Sequence, residues 1–238
     1  MGRRGTKPQR QVSIEWSRYL AYAVGLITTD GYLSKDGRHI DFTSQDIQLI
    51  QLYKKCLGVQ HLKTGFKVSS SSGKRCPRVQ FGDVHFYHWL QKIGLTSKKS
   101  LTLGPLKIPD KLFFDFVRGC FDGDGTIYSF WDVRWADSYM FYIAFASGSK
   151  NFLLWLQKKI RILAHINGHI SSTAGQHTLQ LRYAKGESLV LFRKMFYDRS
   201  VPHLIRKRTK AEKIFKQHNE IVDRNKLARV VKLANTPL

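Results

Sequence analysis

The sequence predicts an α+β protein in which one structural unit is used twice. Three observations lead there. The order helix, hairpin, helix, hairpin, helix can be read twice along the 238 residues. Two helix ends carry the same glycine and Asp-Gly pattern one repeat apart. Apolar residues make up 42% of the chain, enough to bury a core and exclude wholesale disorder.

The elements follow in order. Residues 1–13 are polar and basic and read as a flexible arm. A helix is expected from Ile14, with Ser13 as N-cap, because Trp16, Tyr19, Leu20, Ala23 and Ile27 follow a spacing of three to four. It should stop at Asp30-Gly31, with the glycine left-handed. Tyr32–Leu33 and His39–Thr43 flank the turn signal Lys35-Asp36-Gly37. Gln45 to Leu57 is helical and ends at Gly58. His61–Ser69 and Arg75–Phe81 form a second hairpin, and Val84 to Ile93 a helix ending at Gly94. A linker with Pro105 and Pro109 spans 95–110.

The pattern then restarts. Lys111 to Phe121 is helical and stops at a Gly-Asp-Gly cluster. Thr126–Asp132 and Tyr139–Ala146 are strands, and Asn151 to His165 is a helix. His169–Ser172 and Thr178–Tyr183 are strands, and Ser188 to Phe196 is a helix. The basic segment Arg206 to Lys210 and a tail over 216–238 follow.

Charge narrows the partners. The formal net charge is +23, from 40 Lys and Arg against 17 Asp and Glu. Self-repulsion of this size points to a polyanion, with nucleic acid leading. No stretch has the ~18 apolar residues of a spanning helix, and the basic residues are spread rather than gathered beside one amphipathic helix. No membrane role or export signal is expected. Cys56, Cys76 and Cys120 have no zinc or C-x-x-C spacing, and read as reduced thiols of an intracellular protein.

The matched helix ends carry the chemistry. One reads Ala23-Val24-Gly25-Leu26-Ile27-Thr28-Thr29-Asp30-Gly31, the other Val117-Arg118-Gly119-Cys120-Phe121-Asp122-Gly123-Asp124-Gly125. Both have glycine third and Asp-Gly last, and 94 positions separate Asp30 from Asp124. A carboxylate at a helix C-terminus faces the negative end of the dipole and is disfavoured by up to ~1 kcal/mol. A divalent cation would offset that cost. Gly25 and Gly119 would let the two helices pack backbone to backbone, bringing the aspartates together, and their repulsion again favours a metal. Other metal readings fail: a calcium loop from Asp122 would have Ile127 where glycine is needed and Val133 where glutamate is needed.

These two segments resemble the signature motifs of LAGLIDADG homing endonucleases and maturases. Gly94-Leu95-Thr96, Lys99-Ser100, Ile108-Pro109, Phe116-Val117-Arg118-Gly119, and the Ser200-to-Lys210 segment with Leu204 and Arg206-Lys207 are also similar to that family. The resemblance covers roughly residues 14–215. It implies pseudo-symmetric αββαββα halves over 14–94 and 111–215, the motif helices forming their interface. Two curved antiparallel sheets would form a saddle on double-stranded DNA. Asp30 and Asp124 match the metal-binding acidic positions, with Thr29 and Gly123 beside them as further metal positions. The implied cofactor is Mg²⁺, two or three ions, with Mn²⁺ or Ca²⁺ able to substitute in binding. The implied activity is hydrolysis of both strands of a site of about 20 bp, leaving short 3′ overhangs, by a monomer that needs no protein partner.

The family also uses a basic residue on a strand end near the phosphate; Lys185 is the candidate, and the matching place in the first half reads near Asp83. Thr28 and Thr29 replace the name-giving Asp and Ala in the first motif, whereas Asp122 is kept in the second. Sheet alternation offers DNA contacts. Arg78 and Gln80 alternate with Val79 and Phe81, and Gln180 and Arg182 with Leu181 and Tyr183. In the major groove arginine would read guanine and glutamine adenine. Lys63, Lys67, Tyr128 and Arg134 are further candidates, and Lys98, Lys99, Arg206, Lys207 and Arg208 are expected on phosphates. Two other readings use the same scaffold: an RNA-splicing maturase and a non-catalytic DNA-binding regulator.

Overall fold

The computed structural model describes residues 10–68, 73–97, 99–134, 138–172 and 178–234. The first half runs α1 (Arg18–Asp30), β1 (Gly31–Leu33), β2 (His39–Thr43), α2 (Ile47–Leu57), β3 (Gly65–Val68), β4 (Arg75–Gly82) and α3 (Val84–Lys92). A short α4 (Lys99–Thr102) and a single 3-10 turn at Asp110–Leu112 precede the second half. That half runs α5 (Phe113–Asp122), β5 (Thr126–Trp131), β6 (Tyr139–Ser147), α6 (Lys150–Ala164), β7 (His169–Ser172), β8 (Leu179–Ala184), α7 (Lys185–Met195) and α8 (Ile205–Ala234). The two antiparallel sheets have equivalent strand orders, β1-β2-β4-β3 and β5-β6-β8-β7. The duplication expected from the sequence is therefore present in the topology.

Local chemistry explains most boundaries. Asp46, Asp83 and Ser149 cap α2, α3 and α6 by accepting from the amides of Gln48, Phe86 and Phe152. Gly58 ends α2 in the left-handed region at φ 72°. Asp83 does more than cap: its Oδ2 also accepts from the amides of Gln11 (2.7 Å) and Val12 (3.0 Å). This pins the incoming chain to the first half.

That anchoring corrects the first helix. It starts at Arg18 with Ser17 as N-cap, not at Ile14 with Ser13. Ser17 Oγ accepts from the Leu20 amide at 3.1 Å. Trp16 reaches the core from non-helical chain and packs on Trp89 with ring centroids 4.9 Å apart. Gly31 is extended (φ −79°, ψ 159°) rather than left-handed, because α1 passes directly into β1. The 95–110 linker is not featureless, since α4 lies within it. Helix α7 begins at Lys185, not Ser188; Ser188 Oγ instead accepts from the Ile143 amide and donates to the Tyr183 carbonyl, tying α7 to the sheet. A single helix, α8, runs through the basic segment and on into the tail.

Each sheet buries one face. Ile40, Phe42, Val79 and Phe81 pack against Ile50, Tyr53 and Phe86, with Phe42 stacked on Tyr53 at 4.4 Å. Phe141, Ile143, Leu181 and Tyr183 lie in the same continuous core as Leu153, Leu191 and Met195. The alternation in β4 and β8 is the one read from the sequence: Val79, Phe81, Leu181 and Tyr183 are buried, while Gln80 is exposed and Arg78, Gln180 and Arg182 are half-buried. Among the described residues no helix is long and apolar enough to cross a membrane. The three cysteines are free and buried.

Candidate active site and nucleic-acid interface

The two motif helices, α1 and α5, meet backbone to backbone. A Cβ built on Gly25 would stand 2.8 Å from both the Cys120 amide nitrogen and Gly119 Cα, and one on Gly119 would stand 3.0 Å from Gly25 Cα. No side chain fits there, so both positions need glycine. The contact brings the two helix C-termini side by side. Asp30 Oδ2 lies 2.9 Å from where a Gly123 Cβ would be, one residue from Asp124.

Electrostatics at this junction are strained. Burial pushes the Asp30 carboxyl up to about 6, with the Asp124 charge adding to the rise. Burial also raises Asp124. Two ammonium groups, Lys99 and Lys207, act in the opposite direction on both carboxyls. Lys99 Nζ donates to the carbonyls of Thr28 (2.7 Å) and Thr29 (2.9 Å) at the end of α1. Lys207 Nζ donates to those of Phe121 (2.6 Å), Gly123 (2.7 Å) and Gly125 (2.6 Å) at the end of α5. Each half thus places a buried lysine on the negative end of its own motif helix. Burial lowers Lys99 and brings Lys207 down to about 8.

This corrects two readings. Lys99 and Lys207 were expected on phosphates, but both are buried and spend their hydrogen bonds on carbonyls whose partners a helix end lacks. Part of the charge compensation assigned to a metal therefore comes from these lysines. Lys185, the expected basic residue, opens α7 directly after the β8 residue Ala184, which pairs with Tyr142, two residues along β6 from Ala144, the partner of Thr126. The sequence did contain the signal: a basic residue follows the third helix of each half. Its inward direction depends on tertiary packing.

The second motif has a further device. Asp122 is fully buried, and its Oδ2 accepts from the Tyr22 hydroxyl and the Leu204 amide, both at 2.7 Å. Burial pushes this carboxyl up to about 6. It links α1, α5 and the start of α8. Thr28 holds the matching place in the first motif and only donates back to the Val24 carbonyl at 2.7 Å. Arg118, where the first motif has Val24, is also fully buried and donates to Pro202 O, Met195 O and Asp115 Oδ1. The second half is thereby braced by polar contacts at the positions where the first motif has Val24 and Thr28.

No family model matches the sequence, and no curated protein is a significant match. Solved structures align along most of the chain. The homing endonuclease I-WcaI bound to its DNA recognition sequence covers 82% of this chain and 86% of its own, at 13% identity and TM-score 0.57. The I-LtrWI LAGLIDADG homing endonuclease bound to target DNA covers 92% and 98%, at 11% identity and TM-score 0.56. The chain has the LAGLIDADG homing endonuclease fold. Full-length DUF199/WhiA from Thermatoga maritima also aligns, over 95% of this chain and 72% of its own, at 16% identity and TM-score 0.52.

Within the LAGLIDADG fold the remaining candidates can be placed. Lys63, Lys67 and Gln80 are exposed. Arg78 is half-buried and ion-paired with Asp41, a partner that sequence reading missed. Gln180 Oε1 accepts from Arg182 Nε at 3.0 Å, so these two stand together on the outer face of β8. Tyr128 stacks on Tyr142. Arg134 is exposed and grips Asp132 through Nε (2.9 Å) and an Nη (2.7 Å). Arg206 ties α8 to Asp46 of the first half at 2.7 Å, and Arg208 bonds Glu212 at 2.8 Å. The basic run at the start of α8 is therefore largely engaged by partners of the protein itself. Lys98 lies outside the described residues.

Proposed function

We propose that this chain is a divalent-metal-dependent endonuclease cutting a long double-stranded DNA site of about 20 bp and leaving short 3′ overhangs. The observation that carries the reading is the backbone-to-backbone contact of the two motif helices, which sets Asp30 Oδ2 beside Gly123, the residue before Asp124. The net charge of +23 supports a polyanionic partner. Two neighbours in this fold are homing endonucleases bound to DNA.

The residues fit Mg²⁺. Asp30 and Asp124 are hard oxygen donors, and the carbonyls of Thr29 and Gly123 adjoin them, each with a second lone pair beside its lysine bond. After burial, the Asp124 charge is what raises the Asp30 carboxyl, and a cation shared between the two would relieve that repulsion. Among the described residues no group of three or more His, Cys, Asp or Glu could hold a metal. Two carboxylates with waters and phosphate oxygens suit Mg²⁺, which keeps much of its hydration. When bound, such ions activate water and neutralise charge at the scissile phosphate.

The chain's own groups do the rest. Lys99 and Lys207 fix the carbonyl ends of the motif helices, and so hold both carboxylates in register. All three hydrogens of Lys207 Nζ are committed to carbonyls, so it positions rather than donates to phosphate. Outer-face residues of both sheets, Gln80, Gln180 and Arg182 among them, would meet base edges.

A plasmid-library cleavage assay in Mg²⁺ tests this. Wild type should cut, and Asp30→Asn or Asp124→Asn should abolish cutting by at least a hundredfold while duplex binding persists. Intron-RNA binding with no DNA cutting would replace the reading with a maturase.

A further inference from the structure

The outer faces of the two sheets differ in chemistry although their strand orders match. Rows of directly paired residues make the comparison. In the first half one row is Tyr32, Asp41 and Gln80; its counterpart is Thr126, Ala144 and Arg182. The next outer row is His39 and Gly82 in the first half, and Tyr128, Tyr142 and Ala184 in the second. The first sheet thus carries a His, an Asp ion-paired with Arg78, and a Gln. The second carries Tyr142 where the first has His39, Ala144 where it has Asp41, and Arg182 where it has Gln80, with Tyr128 beside Tyr142.

That surface is organised. The Tyr128 and Tyr142 rings lie 5.5 Å apart and within 18° of parallel. Phe130 lies 6.1 Å from Tyr142 and within 7° of parallel. Strand β5 runs beyond the length of β1 to carry Phe130, which pairs with Met140 and is 44% exposed. The three rings, with Gly168, His169, Arg182, Ala184 and Glu187, line a cleft of about 430 Å³, and Glu187 is taken up by the amides of Asn167 and Gly168. With Phe130 exposed and Tyr128 and Tyr142 half-buried, the cluster offers an apolar contact to a partner that the charge of +23 makes anionic overall.

Resting on the endonuclease reading above, we propose that this face selects thymine, through its C5-methyl group, in the half-site under the second half. In the major groove the thymine methyl is the apolar group presented by base edges. Against the ring faces a guanine or cytosine edge finds no hydrogen-bond partner, whereas the thymine methyl needs none; Arg182 borders the same cleft with its Nε donated to Gln180. The rings already pack on one another in a near-parallel array, which suits a small methyl better than a whole unstacked base. Position follows from geometry. Tyr128 and Phe130 lie four and six residues beyond Asp124, so roughly 13 and 20 Å along an extended strand. At 3.4 Å per base pair that is about four to six pairs outward from the cut.

The test uses the full chain and a randomised duplex library. Sites bound by wild type should show thymine about four to six pairs from the cut in one half. Remaking the selected duplex with deoxyuridine there removes only the methyl groups, and should weaken binding about three- to fivefold per methyl lost. The same exchange in the other half should leave binding unchanged. Phe130→Ala should erase both the preference and the deoxyuridine effect, with a circular dichroism melt to confirm folding. If duplexes bind but deoxyuridine is as good as thymine in both halves, this proposal is wrong and the endonuclease reading survives. If no duplex binds, or the rings prove to serve single strands equally well, the endonuclease reading falls and this proposal with it.

Discussion

At the scale of single residues, the molecule keeps negative charge where a fold would avoid it. Asp30 and Asp122 are both pushed up to about 6 by burial. A carboxyl raised in the folded state contributes stability that is fully present below its unfolded value of 3.8 and is lost as pH rises through 6. The metal-free protein should therefore melt at a higher temperature at pH 5 than at pH 7.5. For each carboxyl the swing is on the order of 1–3 kcal/mol. Asp30→Asn should remove about half of the difference, leaving the part due to Asp122, and raise the pH 7.5 melting point; a melt series in chelator checks it. The carboxylates were legible in the sequence because both end a motif with the same glycine spacing. Lys99 and Lys207 were visible as basic residues but not as helix caps. A lysine after a helix has the same sequence appearance whether it enters solvent or turns onto carbonyls.

At the scale of elements, the interface between α1 and α5 sets the geometry of everything at their tips. Gly119→Ala places a methyl against backbone rather than against a side chain that could swing away. It should cost about 2–4 kcal/mol in denaturant unfolding and, by separating the helix ends, reduce cutting more than it reduces binding. Unchanged stability would mean that the helices are not in contact. The hairpins and later helices were readable from Asp and Ser caps, Gly58, and strict alternation in β4 and β8. The start of α1 was not. Trp16 fits a helical period, yet Asp83, 67 positions away from it in sequence, holds the preceding chain out of the helix. The start of α7 at Lys185, with φ at 34°, escaped for a similar reason. Its stability comes from Ser188 bonding two strands, not from a local capping signal.

At the scale of the whole molecule, duplication and charge belong together. Two sheets of equivalent order give a long surface, and 40 basic residues against 17 acidic ones give it a field. Several of those bases are spent internally: Arg118 in the core, Lys99 and Lys207 on carbonyls, Arg206 between the halves. The remainder should still release several counterions, so duplex affinity should fall at least a hundredfold between 50 and 200 mM salt. A flat response in a filter-binding titration would contradict a phosphate-tracking surface. The repeat was legible from element order, but the difference between the two outer faces was not. It depends on which residues pair across strands, and the register fixes that only in the fold.

Paramagnetic Mn²⁺ binding to the duplex-bound protein tests the shared site most directly. A common centre at the two helix tips requires that the wild type binds Mn²⁺ and that Asp30→Asn and Asp124→Asn each weaken it at least tenfold with duplex still bound. Mn²⁺ uptake unchanged by either substitution would place the ions elsewhere and remove the basis for cleavage at this junction.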